Sequence, residues 1–534
     1  MKVILVGSAG VDKSSLSRAI RQSSKKPRPR KTLGVEVHTW TASDIRFHLW
    51  DVQGAAHPNN DVNGAYFGNS GSLADRANGS GGGDALSTPN FGAHPGTQSL
   101  FFSSQSLYLL VWDLACNNPH THPVLDEDSD DDEDHGGNDW SREEANKQAD
   151  RALQEDIENR VLSWVDRIAR RGPRSAILPV GLIPDGMSRT EAQRRCDRLY
   201  ELLEARMAWY ENSDRAPNVV LDDSKNILCV NYSRGDGIEQ LQETMIAIAT
   251  DTSSSVFTHV GTPVPPGVVE VQDLLNRLKE DHKLIWIDHI IGELGSSVSV
   301  EDVINALHFL SSIGEILYFG TEDDDVLSQF VVLSRKWLVS AISCILRNDL
   351  KRELTETRRF MQMQCLYSEQ EFTENDITRV LGGGAASNCP LLSGEDAKML
   401  WQSMSFMREA ADRYWQLNES SASAPTMFYF LERLLVSCGI FLPLGTSNYG
   451  LGAGLQQDEV YFVPSLLAQS DPGDVWTSKD IWSYRNSDSF LTTLCHSWLF
   501  RDGAPSDLFE HLTVALLKGT FGVVFVFIRF RIPV

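Results

Sequence analysis

The sequence predicts a doubly wound α/β fold over residues 1–250, followed by an α+β region. Three observations support this prediction. Short apolar runs alternate with helical patterns, as a parallel sheet covered by helices requires. A glycine-containing loop follows the first apolar run, and a D-x-x-G motif follows the second. The runs interpreted as strands lie at residues 2–6, 45–50, 106–113, 176–181 and 226–231.

The first run leads into a pattern close to a phosphate-binding P-loop. The pattern G-x-x-x-x-G-K-[ST] maps onto Gly7, Lys13 and Ser14, but Asp12 stands where the second glycine is expected. Such loops bind phosphate through backbone N–H groups at a helix N-terminus, where the helix dipole favours anions. A carboxylate there competes with the ligand. The residues predicted to bind phosphate are Gly7, Gly10, Asp12, Lys13, Ser14 and Ser15.

A second motif predicts a magnesium ion beside the phosphate. Asp51 and Gly54 fit D-x-x-G after the second apolar run. In this motif the aspartate steadies the Mg²⁺ shell, and the glycine amide senses the terminal phosphate. Ser14 is predicted to bind the ion directly, and Thr32 to complete its shell when a triphosphate is present. The predicted metal-binding residues are therefore Ser14, Thr32 and Asp51.

The base-binding side carries a less complete pattern. Asp185 follows the run 176–181, at the place where a carboxylate accepts two N–H bonds from guanine and rejects adenine. Leu182 and Ile183 replace the Asn/Thr-Lys part that usually accompanies this aspartate. The segment 230–238 follows the last predicted strand, where a loop backing the base belongs. Guanine recognition is thus predicted to depend on Asp185.

Two segments interrupt the predicted sheet. Residues 55–97 are rich in glycine, asparagine, serine and proline and can bury little apolar surface, so we expect a disordered insert. We expect a second one over residues 117–142, because the acidic run 126–134 repels itself and stays solvated. Prolines within 253–267 predict a linker to the second half of the chain.

Beyond this linker the pattern changes. Apolar residues at helical spacing over 301–310 precede strand-like runs at 315–319 and 330–333, an order that resembles a winged-helix module. A separate unit is predicted to include a strand pattern at 461–467 and an amphipathic helix at 508–518. Because the chain stops within an apolar, β-branched run, we expect that unit to be incomplete. The predicted domains are 1–252, 268–425 and 426–534.

Composition argues against several classes of function. The formal net charge of −24 argues against nucleic acid or an acidic membrane as the partner, since both attract basic surfaces. The eight cysteines occur singly, without the spacing of a zinc site, and are typical of reduced cytoplasmic thiols. No apolar run reaches the length of about twenty residues that a transmembrane helix needs. We therefore expect a cytoplasmic protein.

Taken in order, these motifs resemble the Roc domain, the Ras-like GTPase of the Roco family, to which leucine-rich repeat kinases belong. The stretch 32–40 is similar to the family's switch I, and 101–113 resembles the strand that follows its switch II. In the second half, 306–319, 332–338 and 461–467 look like the COR domain that follows Roc. We expect neither leucine-rich repeats nor a kinase domain in this chain.

The resemblance implies a Ras-like P-loop GTPase fold acting as a guanine-nucleotide switch. Such a protein binds GTP and GDP with Mg²⁺, hydrolyses GTP slowly or with help from a partner, and signals through conformational change and dimerisation of its COR half. A homodimer also agrees with the apolar face of the 508–518 helix, formed by Leu508, Leu512, Leu516 and Leu517. The effector proteins are unknown from the sequence.

The departures from the family pattern leave alternatives open. Ala55 stands where Ras-type enzymes carry a water-orienting glutamine, and Gln53 lies inside the D-x-x-G motif, so no catalytic residue is assigned. Asp12 raises the alternative of a pseudo-GTPase, a dimeric scaffold that no longer binds nucleotide. A P-loop enzyme using adenine nucleotides is a further alternative, which Asp185 and the COR resemblance disfavour.

Overall fold

The computed structural model describes residues 1–8, 10–21, 35–52, 97–98, 100–115, 139–210, 217–220, 227–251, 256–257, 259–321, 324–346, 391–418, 427–446 and 459–463. The chain divides into two compact units. The first unit comprises Met1–Ser343 and Glu409–Phe430, and the second comprises Cys344–Arg408 and Leu431–Val534.

The first unit contains a seven-stranded sheet. Its strands are β1 Lys2–Val6, β2 Val35–Ala42, β3 Ile45–Val52, β4 Leu107–Asp113, β5 Ala176–Leu182, β6 Asn218–Val219 and β7 Leu228–Val230. Their order is β2-β3-β1-β4-β5-β6, and β7 also pairs with β5. Only the β2–β3 hairpin is antiparallel among these described pairs. The mostly parallel sheet predicted from the sequence is confirmed, and β2 and β6 are additions to the five predicted strands.

Helices follow the strands in the alternating order that the sequence predicts. They are α1 Lys13–Arg21, α2 Asp139–Ile157, α3 Ser163–Arg171, α4 Arg189–Ala208 and α5 Ile238–Thr250. A π-helical turn, Glu158–Leu162, connects α2 to α3. The start of α2 lies inside the range 117–142 expected to be an insert, whereas 55–96 and 117–138 lie outside the described residues.

Both faces of the sheet are buried, as alternate residues of β4 demonstrate. Leu109 belongs to a hydrophobic core that also contains Leu16 of α1 and Leu241 of α5. On the opposite face, the indole of Trp112 donates a hydrogen bond of 3.3 Å to Asp156 of α2. Apolar side chains on both faces favour a central parallel strand with helices on either side.

A smaller antiparallel sheet follows in the same unit. It consists of β8 Leu284–Trp286, β9 Leu317–Tyr318 and β10 Phe330–Val332, in the order β8-β10-β9. The neighbouring helices are α6 Val268–Leu278, α7 Ile287–Leu294, α8 Val300–Ser312 and α9 Arg335–Ser343. The predicted helix and two strands are present, and β8 is a third strand that the sequence pattern did not indicate. The winged-helix-like description stays a prediction.

Trp50, a fully buried residue of β3, contacts residues that flank the smaller sheet. Lys2 Nζ lies 4.5 Å and the Arg335 guanidinium 4.6 Å from the centroid of its ring. Gly314, after α8, comes so close that an added Cβ would lie 2.6 Å from the indole nitrogen. Arg335 also donates to the backbone carbonyls of Gly314 and Glu315. The close approach of Gly314 to Trp50 and the cation–π contact of Arg335 therefore link β3 to the segment around Gly314, to which Arg335 is also hydrogen-bonded.

The second unit contains a sheet of β11 Leu391–Ser393, β12 Leu442–Thr446 and β13 Glu459–Phe462, ordered β11-β13-β12. Helix α10, Gly394–Ser403, lies within this unit, and α11 Ser405–Asn418 and α12 Met427–Ser437 contribute residues to both units. The strand predicted at 461–467 is described only as far as residue 463, and the predicted helix 508–518 lies outside the described residues.

Among the residues that the structure describes, no helix is long and apolar enough to cross a membrane.

Candidate functional site

The predicted phosphate-binding and base-binding residues lie at one edge of the seven-stranded sheet. Because β1, β3, β4, β5 and β7 are parallel, their carboxyl ends meet at this edge, where α/β proteins bind ligands. The loop 7–12 follows β1, Asp51 lies near the end of β3, and Asp185 comes soon after β5. The structure therefore places three separate sequence motifs at a common edge.

Gly7 begins the loop after β1 and has backbone requirements that only glycine meets. Its φ is +151°, and an added Cβ would lie 2.4 Å from the carbonyl oxygen of Val111 in β4. Gly10 has a φ of +85° in open space. Positive φ without steric cost is available to glycine alone, so these two residues permit the tight return of the chain into α1.

Lys13, the first residue of α1, is buried beneath this loop. It is 4% exposed, and its ammonium donates hydrogen bonds of 3.1 Å to the Gly7 carbonyl and 3.2 Å to the Ser8 carbonyl. Burial lowers the pKa of Lys13 to about 8, while the nearby carboxylates of Asp51 and Asp12 act to raise it. The loop thus holds a positive group in place at a helix N-terminus, as anion binding requires.

Asp12 immediately precedes α1, in the N-cap position. Its carbonyl oxygen accepts the hydrogen bond from Leu16 N at 3.2 Å, the first of the helical ladder. Aspartate is among the preferred residues at an N-cap, and its negative charge interacts favourably with the helix dipole. This residue therefore suits the start of the helix, although a phosphate group would use the same end of the dipole.

The Asp12 carboxylate also has a partner from the far end of the sheet. Oδ2 accepts a hydrogen bond of 2.8 Å from the hydroxyl of Tyr232, in the loop after β7. Burial and this contact raise the pKa of Tyr232 to about 12, so the phenol remains a donor at neutral pH. The contact connects the loop predicted to bind phosphate directly to the loop predicted to back the base.

The structure describes some of the residues predicted to bind magnesium. Asp51 lies near the end of β3 and is buried, at 1% exposure. Its negative charge acts to raise the pKa of Lys13. Ser14 and Ser15 occupy the first turn of α1, where Ser15 is buried and Ser14 is half-buried. Thr32 and Gly54 lie outside the described residues.

Asp185 accepts hydrogen bonds from side chains of the loop after β7. Asn231 Nδ2 lies 3.1 Å from its Oδ1, and the Ser233 hydroxyl lies 3.1 Å from both carboxylate oxygens. Arg234 approaches the same carboxylate at 3.5 Å, with both side chains largely exposed. A guanine base has to replace or share these donors, because a carboxylate offers a limited number of lone pairs.

The two residues that replace the usual Asn-Lys pair have a structural role. Leu182, the last residue of β5, is 3% exposed and belongs to the main hydrophobic core. Ile183 donates its backbone N–H to the Val230 carbonyl at 2.9 Å, which extends the pairing of β5 with β7. Neither side chain offers a hydrogen bond to a base, so polar recognition in this region is restricted to Asp185 and the loop after β7.

Sequence reasoning gave no individual role to four residues that the structure brings to this edge, although three of them lie within the segment 230–238 predicted to back the base. They are Asp113, Asn231, Tyr232 and Ser233. Asp113 ends β4 and accepts the backbone N–H of Ala115 at 2.8 Å. Asn231 Oδ1 accepts hydrogen bonds from the backbone of Ser233 and Arg234, which forms the loop. Their position at the ends of predicted strands or directly after them was the available signal, since the ends of parallel strands converge.

The arrangement combines a lysine, a helix N-terminus and several carboxylates. Among the described residues, no group of three or more Asp, Glu, His or Cys side chains is arranged to hold a metal ion. Magnesium bound to a nucleotide needs no such group, because it takes most ligands from phosphates and water. The residues present therefore fit a phosphate group and its magnesium through Lys13, Ser14 and Asp51, and fit a guanine base less completely through Asp185.

No family model matches the chain. A probable serine/threonine-protein kinase, pats1 of Dictyostelium discoideum, is 22% identical over 377 residues, which cover 65% of this chain and 9% of that protein. The chain therefore spans a small fraction of the length of this relative.

A solved structure resembles the chain over much of its length. It is Roco2 RocCORdC of Methanosarcina barkeri bound to GDP, which covers 88% of this chain with 95% of its own residues. The sequence identity is 12% and the TM-score is 0.45.

Proposed function

We propose that this chain is a guanine-nucleotide-binding protein of the Roco type, which binds GTP and GDP with Mg²⁺ weakly and hydrolyses GTP slowly or with help from a partner. The observation that carries the proposal is the buried Lys13, held by the carbonyls of Gly7 and Ser8 at the N-terminus of α1. A buried cation at a helix N-terminus, beside a glycine loop, is a recurrent solution for binding phosphate.

In this proposal each residue has a defined task. The backbone N–H groups of the loop 7–14 and the Lys13 ammonium bind the phosphates. Ser14 supplies a hydroxyl to magnesium, Asp51 orients the water of its shell, and Thr32 and Gly54 complete the response to a third phosphate. Asp185 accepts the N–H groups of guanine. No residue is proposed as a general base, since the position after Gly54 is Ala55.

The negative charge of Asp12 is the main effect that opposes phosphate binding. A carboxylate about 4 Å from a phosphate oxygen repels it by about 1 kcal/mol in water and about 4 kcal/mol at an effective dielectric constant of 20. The Tyr232 hydroxyl, in the loop after β7, donates a hydrogen bond to the Asp12 carboxylate. This hydrogen bond offsets part of the repulsion between the carboxylate and the phosphate. We therefore expect guanine nucleotides to bind weakly but specifically.

Thermal unfolding with different nucleotides tests the proposal. The purified chain is heated with GDP, GTP, ADP or ATP, each with Mg²⁺. Ligand at 100 times its Kd stabilises a protein by about 2.7 kcal/mol, so guanine nucleotides should raise the Tm measurably. The Lys13→Ala variant is the matched control and should show no rise. An equal rise in that variant places the ligand elsewhere and contradicts the assigned pocket, and stabilisation by ATP alone favours an adenine-nucleotide enzyme.

A second candidate function is a scaffold that uses the GTPase fold without nucleotide. The observation that favours it is the occupation of both halves of the site by protein groups: Tyr232 on Asp12, and Ser233 with Asn231 on Asp185. A scaffold predicts no thermal shift with any nucleotide up to millimolar concentrations. The same experiment therefore separates the two candidates.

The proposal extends to the organisation of the chain. We propose a Roc domain over 1–252, a linker over 253–267 and two COR subdomains over 268–425 and 426–534, with homodimerisation through the COR half in the cytoplasm. Light scattering at micromolar concentration tests the dimer. A mass matching one chain contradicts it.

A further inference from the structure

Two cysteine thiols, distant in sequence, are neighbours in the first unit. Cys196 on α4 and Cys229 on β7 have their sulfur atoms 3.2 Å apart, although 33 positions separate them in the chain. The contact lies beside Gly181 of β5, which has no side chain to fill the space: an added Cβ would lie 3.4 Å from Cys229 Sγ. The S–S bond of a disulfide is about 2.05 Å long, so the two sulfur atoms need to approach each other by only about 1 Å to form one.

The two thiols differ in chemical character. Cys196 is buried at 2% exposure, whereas Cys229 is half-buried. The hydrogen bond between the two thiols lowers the pKa of Cys229, against the effect of burial, and the same contact raises the pKa of Cys196. Thiolates are the reactive form of cysteine, so Cys229 has the features of the attacking group and Cys196 those of a resolving thiol.

We propose that Cys196 and Cys229 are a peroxide-sensitive pair that oxidises to a disulfide joining α4 to β7. In the first step the Cys229 thiolate attacks one oxygen of hydrogen peroxide, the O–O bond breaks, and a sulfenic acid forms with release of hydroxide. In the second step Cys196 loses its proton and attacks the Cys229 sulfur, the S–O bond breaks, and water leaves. Two thiols and one peroxide give one disulfide and two waters.

The disulfide would restrict the movement of the loop after β7. Cys229 is two residues before Asn231, which donates to Asp185 and organises the loop that carries Tyr232. A covalent link from β7 to α4 restricts how far this loop can move when a ligand displaces its side chains from Asp185. This consequence for base binding rests on the proposed function, whereas the oxidation itself does not.

Peptide mass spectrometry tests the oxidation directly. The native chain is treated with hydrogen peroxide, its remaining thiols are alkylated, and it is digested with trypsin without reductant. The expected product joins the peptide 196–198 to the peptide 226–234, and disappears when dithiothreitol is added before alkylation. Because a disulfide restricts the unfolded chain, the oxidised protein should also unfold a few degrees higher.

Three variants test the role of each cysteine and provide a control. Cys196→Ser should stop at the sulfenic acid of Cys229, which dimedone labels, and Cys229→Ser should give neither product. Cys438→Ser, which removes a half-buried cysteine of the second unit, should form the 196–229 link normally. Alkylation of both cysteines in the peroxide-treated native chain, without the joined peptide, overturns the proposal even if the variants fail to fold. Nucleotide titration of both redox forms then measures the effect on the site separately.

Discussion

The hydroxyl of Tyr232 donates a 2.8 Å hydrogen bond to the carboxylate of Asp12, joining two loops that lie 220 positions apart in the chain. Asp12 lies in the loop predicted to bind phosphate, and Tyr232 belongs to the loop that contacts Asp185. The one residue that departs from the P-loop pattern therefore accepts a hydrogen bond from a side chain of the loop predicted to back the base. This contact makes the effect of Asp12 on ligand binding dependent on Tyr232.

Removing the tyrosine hydroxyl should weaken nucleotide binding only while Asp12 is present. Tyr232→Phe leaves the carboxylate without this donor, so its charge acts more strongly on the phosphates and the GDP affinity should fall about threefold to tenfold. In the Asp12→Gly background the same substitution should change affinity little. Titration of the four proteins completes a double-mutant cycle. Equal effects of Tyr232→Phe in both backgrounds would show that the hydroxyl acts through something other than Asp12.

Nucleotide affinity should decrease above pH 8. The pKa of Lys13 is lowered to about 8 by burial, so the ammonium of the free protein loses its proton as the pH rises through that value. Binding to phosphate requires the charged form, so affinity should fall about tenfold between pH 7 and pH 9. Isothermal titration calorimetry in buffers of different ionisation enthalpy should detect proton uptake on binding. Lys13→Arg keeps its charge and should have a flatter profile; parallel profiles contradict the assignment.

His48 should make the fold sensitive to acid. It is buried on β3, 3.4 Å from Glu315, and burial lowers its pKa to about 4. Between pH 6.5 and 4 the unfolded chain binds the proton more tightly, so stability falls as the pH falls through this range. The charged groups acting on its imidazole are Glu315, the Met1 amino group, Arg335 and Arg46.

The size of this effect is measurable against a variant that does not titrate. The difference between the two pKa values corresponds to a loss of at most about 3 kcal/mol of unfolding free energy. Urea unfolding at pH 6.5 and pH 4.5 measures the loss for the native chain and for His48→Gln. The native chain should lose more stability than the variant. A larger loss in His48→Gln would contradict the assigned pKa direction.

Gly314→Ala should destabilise the first unit more than a substitution at a comparable glycine. Gly314 has a φ of +85°, and its new Cβ would lie 2.6 Å from the indole nitrogen of Trp50. Gly261 has a φ of +75° with nothing within 4 Å. We expect a loss of about 1 kcal/mol for Gly261→Ala from backbone strain alone and about 2–4 kcal/mol for Gly314→Ala. Denaturant unfolding measures the loss of unfolding free energy in both variants. Equal losses would mean that the indole of Trp50 moves away from the new Cβ without destabilising the protein.

The sequence was informative where a local pattern has one structural meaning. The runs that became β1, β3, β4, β5 and β7 are short and apolar and are bounded by turn residues, so their alternation with helices predicted a parallel sheet. Lys13 and Asp51 were predicted as site residues because the P-loop and D-x-x-G spacings reflect backbone geometry. Their convergence then follows from the parallel arrangement of the strands.

Contacts between distant segments were beyond sequence reasoning. Tyr232 meets Asp12, and Cys196 meets Cys229, because loops and helices converge at the sheet edge, and no periodicity within one segment encodes such a meeting. The strand β8 was missed because the apolar residues of Leu284–Trp286 continue without a turn residue into the helix that starts at Ile287, so the strand has no boundary in the sequence. The N-cap role of Asp12 was also hidden, since the residue was judged only against the glycine of the P-loop pattern.

The most direct test of the central claim is a titration of a fluorescent GDP analogue, with Mg²⁺, into the native chain and its Asp12→Gly variant. Glycine is nearly as good an N-cap as aspartate, costing a few tenths of a kcal/mol, so the variant should remain folded. We predict that both proteins bind and that Asp12→Gly binds about tenfold or more tightly, because it removes a repulsion of about 1–4 kcal/mol. Binding by neither protein, with both folded, would contradict the account and favour a scaffold.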